Sequence, residues 1–69
     1  MKISARNQLK GKVVAIRKGQ VTAHVSIDVN GTIVMASITN EAVDELGLVV
    51  GQAAYAVVKA SDVMVAIDA

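Results

Sequence analysis

Ser4, Arg6 and Asn7 place a hydroxyl, a guanidinium and a carboxamide within four residues, just ahead of an apolar run. Each can donate hydrogen bonds, and Arg6 adds a fixed positive charge. Donors of this kind suit an oxygen-rich anion rather than a cation. The planar N–H fork of arginine in particular matches tetrahedral oxyanions. By residue type alone, the same stretch also reads as a solvated arm, the ordinary role of polar residues near a terminus.

Other chemistries find less support. Ser4, Ser26, Ser37 and Ser61 are hydroxyl nucleophiles, and His24 is the one candidate base. His24, Ser26 and Asp28 alternate on one strand face, where side chains stand parallel and do not converge as a triad requires. The chain has no cysteine, which excludes disulfides and thiolate metal sites. A lone histidine among scattered carboxylates makes a poor zinc site. No glycine loop has Walker or Rossmann spacing. Single-stranded nucleic acid is held by aromatic stacking above a basic groove. Tyr55 is the sole aromatic residue and the formal charge is +1, so neither the platform nor the basic stripe is present. Tyr55 reads instead as a packing residue with its hydroxyl near water.

The elements that must position these groups are legible from period and punctuation. Residues 9–18 form a β-rich run in which Gly11 marks a bend, bulge or close backbone approach. Lys18-Gly19-Gln20 is a turn. Val21, Ala23, Val25, Ile27 and Val29 then alternate with Thr22, His24, Ser26 and Asp28, the period of a strand. Asn30-Gly31 predicts a two-residue type I′ hairpin, so facing residues should have numbers summing to 61. Ile27 then meets Val34, Val25 meets Ala36 and Ala23 meets Ile38 on the apolar face. His24 meets Ser37, Ser26 meets Met35 and Thr22 meets Thr39 on the other.

Thr39 or Asn40 can cap a short helix carrying Glu41, Asp44 and Glu45 that stops at Gly47. Gly51-Gln52 is a further turn. Residues 53–59 make a fourth strand and residues 63–67 a fifth. Five strands with a helix between the third and fourth is the order of the all-β OB-fold, a small Greek-key barrel.

With 69 residues there is room for one small domain, whose core rarely supplies more than ~3–5 kcal/mol unaided. The hydrophobic fraction is 54%, although a small domain has proportionally more surface to keep wet. Together these predict a homo-oligomer with large apolar contacts. No run reaches the ~18 apolar residues of a membrane span, and the opening residues lack the apolar core of an export signal. The expected location is the cytoplasm.

Ser4-Ala5-Arg6-Asn7-Gln8-Leu9-Lys10-Gly11-Lys12-Val13, so close to the start of a short chain, resembles the molbindins, the free-standing Mop domains that bind molybdate and tungstate. The likeness continues through Glu45-Leu46-Gly47, Val58-Lys59-Ala60-Ser61 and Asp62-Val63-Met64, so it spans nearly the whole of residues 1–69 as one Mop domain. It implies an OB-fold and a non-enzymatic role in storing or buffering the oxyanion, with no organic cofactor.

By the same resemblance, the Ser-Ala-Arg-Asn motif of one subunit faces the Lys-Ala-Ser turn of another. Ser4 then donates its hydroxyl, Arg6 supplies charge and directed N–H bonds, and Asn7 orients or donates. Lys59, Ala60 and Ser61 contribute mainly backbone N–H groups, which carry partial positive charge. Thr39 matches a family hydroxyl after the third strand, with helix capping as its equal alternative. Ala42 falls where some relatives carry serine, so one donor is missing. The family assembles as trimers of dimers, which places Gly19, Gln20, Val21 and Thr22 at a further anion site on the three-fold axis. Lys10 and Lys12 read as solvated strand positions. The alternative is a structural or interaction OB module that binds phosphate or single-stranded nucleic acid, since fold alone does not set function.

Overall fold

A computed structural model describes residues 1–68. The elements are β1 (Asn7–Lys18), β2 (Thr22–Val29), β3 (Thr32–Thr39), α1 (Asn40–Leu46), β4 (Ala53–Val58) and a 3-10 turn at Ala60–Asp62. They build one antiparallel sheet in the order β3-β2-β1-β4.

The β2–β3 hairpin has the predicted register, with Ile27 opposite Val34, Val25 opposite Ala36 and Thr22 opposite Thr39. Asn30 and Gly31 have φ of 50° and 91°, the two positive values a type I′ turn needs. The Asp28 carboxylate accepts the Gly31 N–H at 2.8 Å and secures the turn. Ala23, Val25 and Ile27 are buried with Val13, Val43 and Ala56 to form the core. Val21, expected on that face, lies in the preceding turn and is 70% exposed.

β1 begins at Asn7, earlier than expected, because its first half has a partner that local sequence does not show. Asn7 to Lys12 pair with β4, and Lys12 to Lys18 pair with β2. The change of partner falls at Val13, where the register shifts before Ala15. There the Val13 N–H donates to Gln52 O at 2.9 Å and its carbonyl accepts from Gly51 N–H at 2.7 Å. Gly11 allows the strands to meet closely: a Cβ there would lie 2.4 Å from the Asp28 carbonyl oxygen and 2.9 Å from Ile27 Cγ2.

Thr39 caps α1, its hydroxyl accepting the Ala42 N–H at 3.0 Å, and Gly47 ends it in the left-handed region at φ 62°. Val43 turns inward. Asn40, the other candidate cap, is the first helical residue.

The fifth strand predicted over residues 63–67 is absent, and the fold is a four-stranded open sheet with one short helix rather than a closed five-stranded barrel. β-strand alternation is a local signal, but a strand exists only beside a paired edge. Val63, Met64, Val65 and Ile67 are instead 51–93% exposed. Between the free edges of β3 and β4 lies an apolar groove of about 580 Å³. The chain exposes 5500 Å², roughly 1400 Å² more than the ~4100 Å² of a compact chain of its 7.1 kDa mass. Its radius of gyration is 12.9 Å, against about 11 Å for a compact globule of this length.

Gly11→Ala should lower unfolding free energy by about 1–3 kcal/mol, the usual cost of forcing atoms into a filled space. Urea denaturation of the two proteins checks this, and equal midpoints would show that β1 and β2 can part at Gly11 without cost.

Candidate functional site

The β1–β4 ladder decides which predicted donors meet. Asn7 pairs with Val58, so Arg6 and Lys59 leave the same end of the sheet on neighbouring chain segments. Sequence reading set the Ser-Ala-Arg-Asn and Lys-Ala-Ser motifs on different subunits. Within each protomer the ladder sets both motifs at the same end of the sheet.

Local geometry leaves donors free on both sides. Ser4 and Arg6 flank a bend whose Ala5 carbonyl accepts the Gln8 carboxamide N–H at 3.1 Å. Across from it, the 3-10 turn spends the N–H groups of Asp62 on Lys59 O (2.9 Å) and of Val63 on Ala60 O (3.2 Å). The N–H groups of Ala60 and Ser61 have no backbone partner among the described residues, as expected for the first residues of a helical turn. Ser4, Arg6, Lys59 and Ser61 are exposed and Asn7 is half-buried. Two cations, two hydroxyls and two unpaired amides therefore share one sheet end. Among the described residues, no three His, Asp or Glu side chains gather as a cation site requires.

Thr39 does not belong to this cluster in the same protomer. It pairs with Thr22, beside the Lys18 end of β1, whereas Arg6 adjoins the Asn7 end. Eleven strand steps separate those ends, roughly 35 Å of chain. The Thr39 hydroxyl accepts from Ala42, but its own proton stays available to donate.

The turn formed by Gly19, Gln20, Val21 and Thr22 sits at the Thr39 end. Its Gly19 N–H is consumed by Thr22 O at 2.7 Å. Asn40 pins it, donating from its backbone to Val21 O at 2.8 Å and from Nδ2 to Gly19 O at 3.0 Å. Gly19 and Thr22 line a cleft of about 220 Å³ with Arg17, Lys18 and His24, while Gln20 and Val21 stay outside it. Lys18 Nζ bonds Asp44 Oδ1 at 2.6 Å, which leaves Arg17 and its cross-strand neighbour His24 as that cleft's open donors.

Sequence reading missed the roles of Gln8 and Asn40 in shaping the two loops, and of Arg17 and His24 in lining the cleft. The signals were slight: a carboxamide three residues past the loop it holds, and a cross-strand pair that appears only once the β1–β2 register is known. Asp28, already set aside as a triad member because its side chain stands parallel to those of His24 and Ser26, is committed to the hairpin turn.

A sheet with a short capped helix and exposed hydrogen-bond donors at one end defines a small β-domain, and comparison with known proteins places it. Residues 3–65 match the TOBE domain family, and the chain belongs to that family, in its Mop (molbindin) group. It is 56% identical to a probable molybdenum-pterin-binding protein of Haemophilus influenzae, covering 99% of this chain and 100% of that one. The solved structure of apo MopII from Clostridium pasteurianum superposes with a TM-score of 0.89 at 48% identity, covering 96% of this chain and all of the other. A molybdate-binding protein from Sporomusa ovata gives 0.92 at 43% identity, covering 97% of this chain and all of the other. The first and third of these relatives are named for binding. No helix among the described residues is long and apolar enough to cross a membrane.

Thr39→Ala should cost about 1 kcal/mol of stability through the lost cap, and Thr39→Asp, which keeps an acceptor, should restore most of it. Thermal unfolding of both variants reads this directly; an unchanged melting temperature in Thr39→Ala would remove Thr39 from the cap.

Proposed function

We propose that this protein binds molybdate, and tungstate, as tetrahedral dianions for storage or buffering, at sites between copies of a homo-oligomer and without catalysing a reaction. The convergence of Arg6 with Lys59, Ala60 and Ser61 at one sheet end carries the reading. Arg6 and Lys59 match the two negative charges. The Ser4 and Ser61 hydroxyls and the amides of Ala60 and Ser61 meet acceptor oxygens from several directions. Asn7, half-buried at the head of β1, orients the bend or adds a donor.

A second copy completes the site. On one protomer these groups face water, where charge-assisted bonds lose most of their strength. A neighbour covers them, and its Thr39 supplies the hydroxyl that this protomer's own Thr39 is too distant to give. The excess surface supports such contacts, since a standard interface buries about 800 Å² per partner. A trimer of dimers places the Gly19–Thr22 turns of three copies together, with Arg17 and His24 beside them as donors for a further anion. Ala42 in place of a serine leaves one hydroxyl fewer around the first site. The whole of residues 1–69 acts as one Mop domain in this reading. Its location in this reading is cytoplasmic, as is that of the cytoplasmic molybdate-binding protein ModG, to which it is 46% identical over 93% of this chain.

Titration calorimetry with molybdate, tungstate, sulfate and phosphate tests the assignment. Micromolar or tighter binding of the first two is expected, with little heat from sulfate, whose smaller tetrahedron falls short of fixed donors. Equal binding of phosphate, or a gel shift with single-stranded oligonucleotides, would favour the alternative OB module instead. Arg6→Ala should weaken molybdate binding by about 1.5–3 kcal/mol, the range for a hydrogen bond to a charged group, or roughly 10- to 150-fold. Unchanged affinity would take Arg6 out of the site.

A further inference from the structure

The cleft at the Lys18 end of the sheet has a charge balance unlike that of the Arg6 cluster. Arg17, Lys18, Gly19, Thr22 and His24 line a volume of about 220 Å³. Much of the adjoining turn's backbone is already bonded. The Gly19 N–H donates to Thr22 O, and the Gly19 and Val21 carbonyls accept from Asn40. The open donors are therefore side chains: the Arg17 guanidinium, the His24 ring and the Thr22 hydroxyl. Arg17 and His24 are exposed and stand directly opposite one another across the β1–β2 ladder, so both can reach one small anion.

His24 faces few charges. From β1 come Arg17 and Lys18, and Lys18 is paired with Asp44 of α1 at 2.6 Å. From β3 comes Ser37, which is uncharged. Asp28, further along the same face of β2, accepts from the Gly31 N–H. Glu41 and Glu45 of α1 lie outside the cleft lining. With Lys18 offset by Asp44, Arg17 is left as the cleft's uncompensated fixed charge. A dianion calls for two. Histidine is the side chain that changes charge between about pH 5 and 8, and His24 is the only one in the chain. The Arg6 cluster instead joins an arginine to a lysine, residue types that stay charged across that range.

We propose that the Arg17–His24 cleft is a pH-gated second site for tetrahedral dianions, loading when His24 takes up a proton and emptying as pH rises. The ligand class rests on the oxyanion reading above, whereas the gate rests on the cleft's own side chains. Arg17 holds the anion through its N–H fork. Protonation gives His24 a positive charge and makes both ring nitrogens donors at once. A bound dianion in turn favours the charged ring, so anion and proton are taken up together. The Arg6 site keeps its cargo through the same pH interval, and only the cleft responds to acidity.

As the only histidine, His24 gives unambiguous imidazole signals in proton NMR. The wild-type protein is titrated from about pH 5.5 to 8.5, with and without dilute molybdate, at an ionic strength held constant with sodium chloride. Molybdate should raise the His24 midpoint by about one pH unit, the mark of an anion held roughly tenfold tighter by the protonated form. Arg17→Gln, checked for folding by circular dichroism, should remove most of that rise. Arg6→Ala should retain it, because both donors of the cleft are intact. Calorimetry below neutral pH should show heats that vary with the buffer's protonation enthalpy, as proton uptake requires. A midpoint that molybdate leaves in place in the wild-type protein would overturn the proposal. So would a rise that survives Arg17→Gln undiminished or vanishes in Arg6→Ala. Molybdate binding at about pH 8, above the histidine range, reports the Arg6 site alone, so the failure of either reading is seen separately.

Discussion

Antiparallel pairing of Asn7 with Val58 is the contact on which the site depends. It joins the start of the chain to residues some fifty positions later, and it does so through backbone hydrogen bonds that fix register to a single residue. Were β4 to slip by one position, the side chains of Lys59 and Ser61 would exchange faces relative to Arg6. Two features hold the ladder in place. Val13 carries the turn from one partner strand to the other, with both of its backbone groups bonded to the Gly51–Gln52 loop. Gly11, lacking a side chain, lets β1 press against the Asp28 carbonyl just before that change. The core is small, six buried residues among those described, so this backbone geometry does much of the positioning.

The same protomer is conspicuously unfinished. It has two bare sheet edges, an open groove, an exposed apolar segment and a cluster of anion donors in water. For a chain of this size that is a coherent design, since an isolated core is marginal and association supplies the missing burial. A site assembled from two surfaces also excludes solvent only when the copies meet, and the electrostatic bonds to a dianion strengthen as the water leaves. In the proposed assembly, stability and ligand binding draw on one set of contacts.

How far the sequence reveals this depends on the range of the contact. The Asn30-Gly31 hairpin was readable because turn chemistry and alternation agree locally, and the observed pairs follow it residue by residue. Thr39 and Gly47 were readable as helix ends for the same reason. The β1–β4 ladder was not, since nothing near Asn7 shows that residues near Val58 will lie beside it. Hence the start of β1 came out too late, and the shared sheet end of the two motifs went unseen. Residues 63–67 show the converse: a local strand pattern that forms no strand, because no paired edge in its own chain receives it. The types of Ser4, Arg6 and Asn7 suggested oxyanion chemistry beside the plainer reading of a solvated arm, whereas the distance of Thr39 from them needed the sheet.

Crystals grown with tungstate, measured at the tungsten absorption edge, test the central claim most directly. The account predicts a strong anomalous peak where Arg6, Lys59 and Ser61 of one copy meet Thr39 of a second. A peak enclosed by one chain alone, or none at that seam while protein side chains fill it, would contradict it.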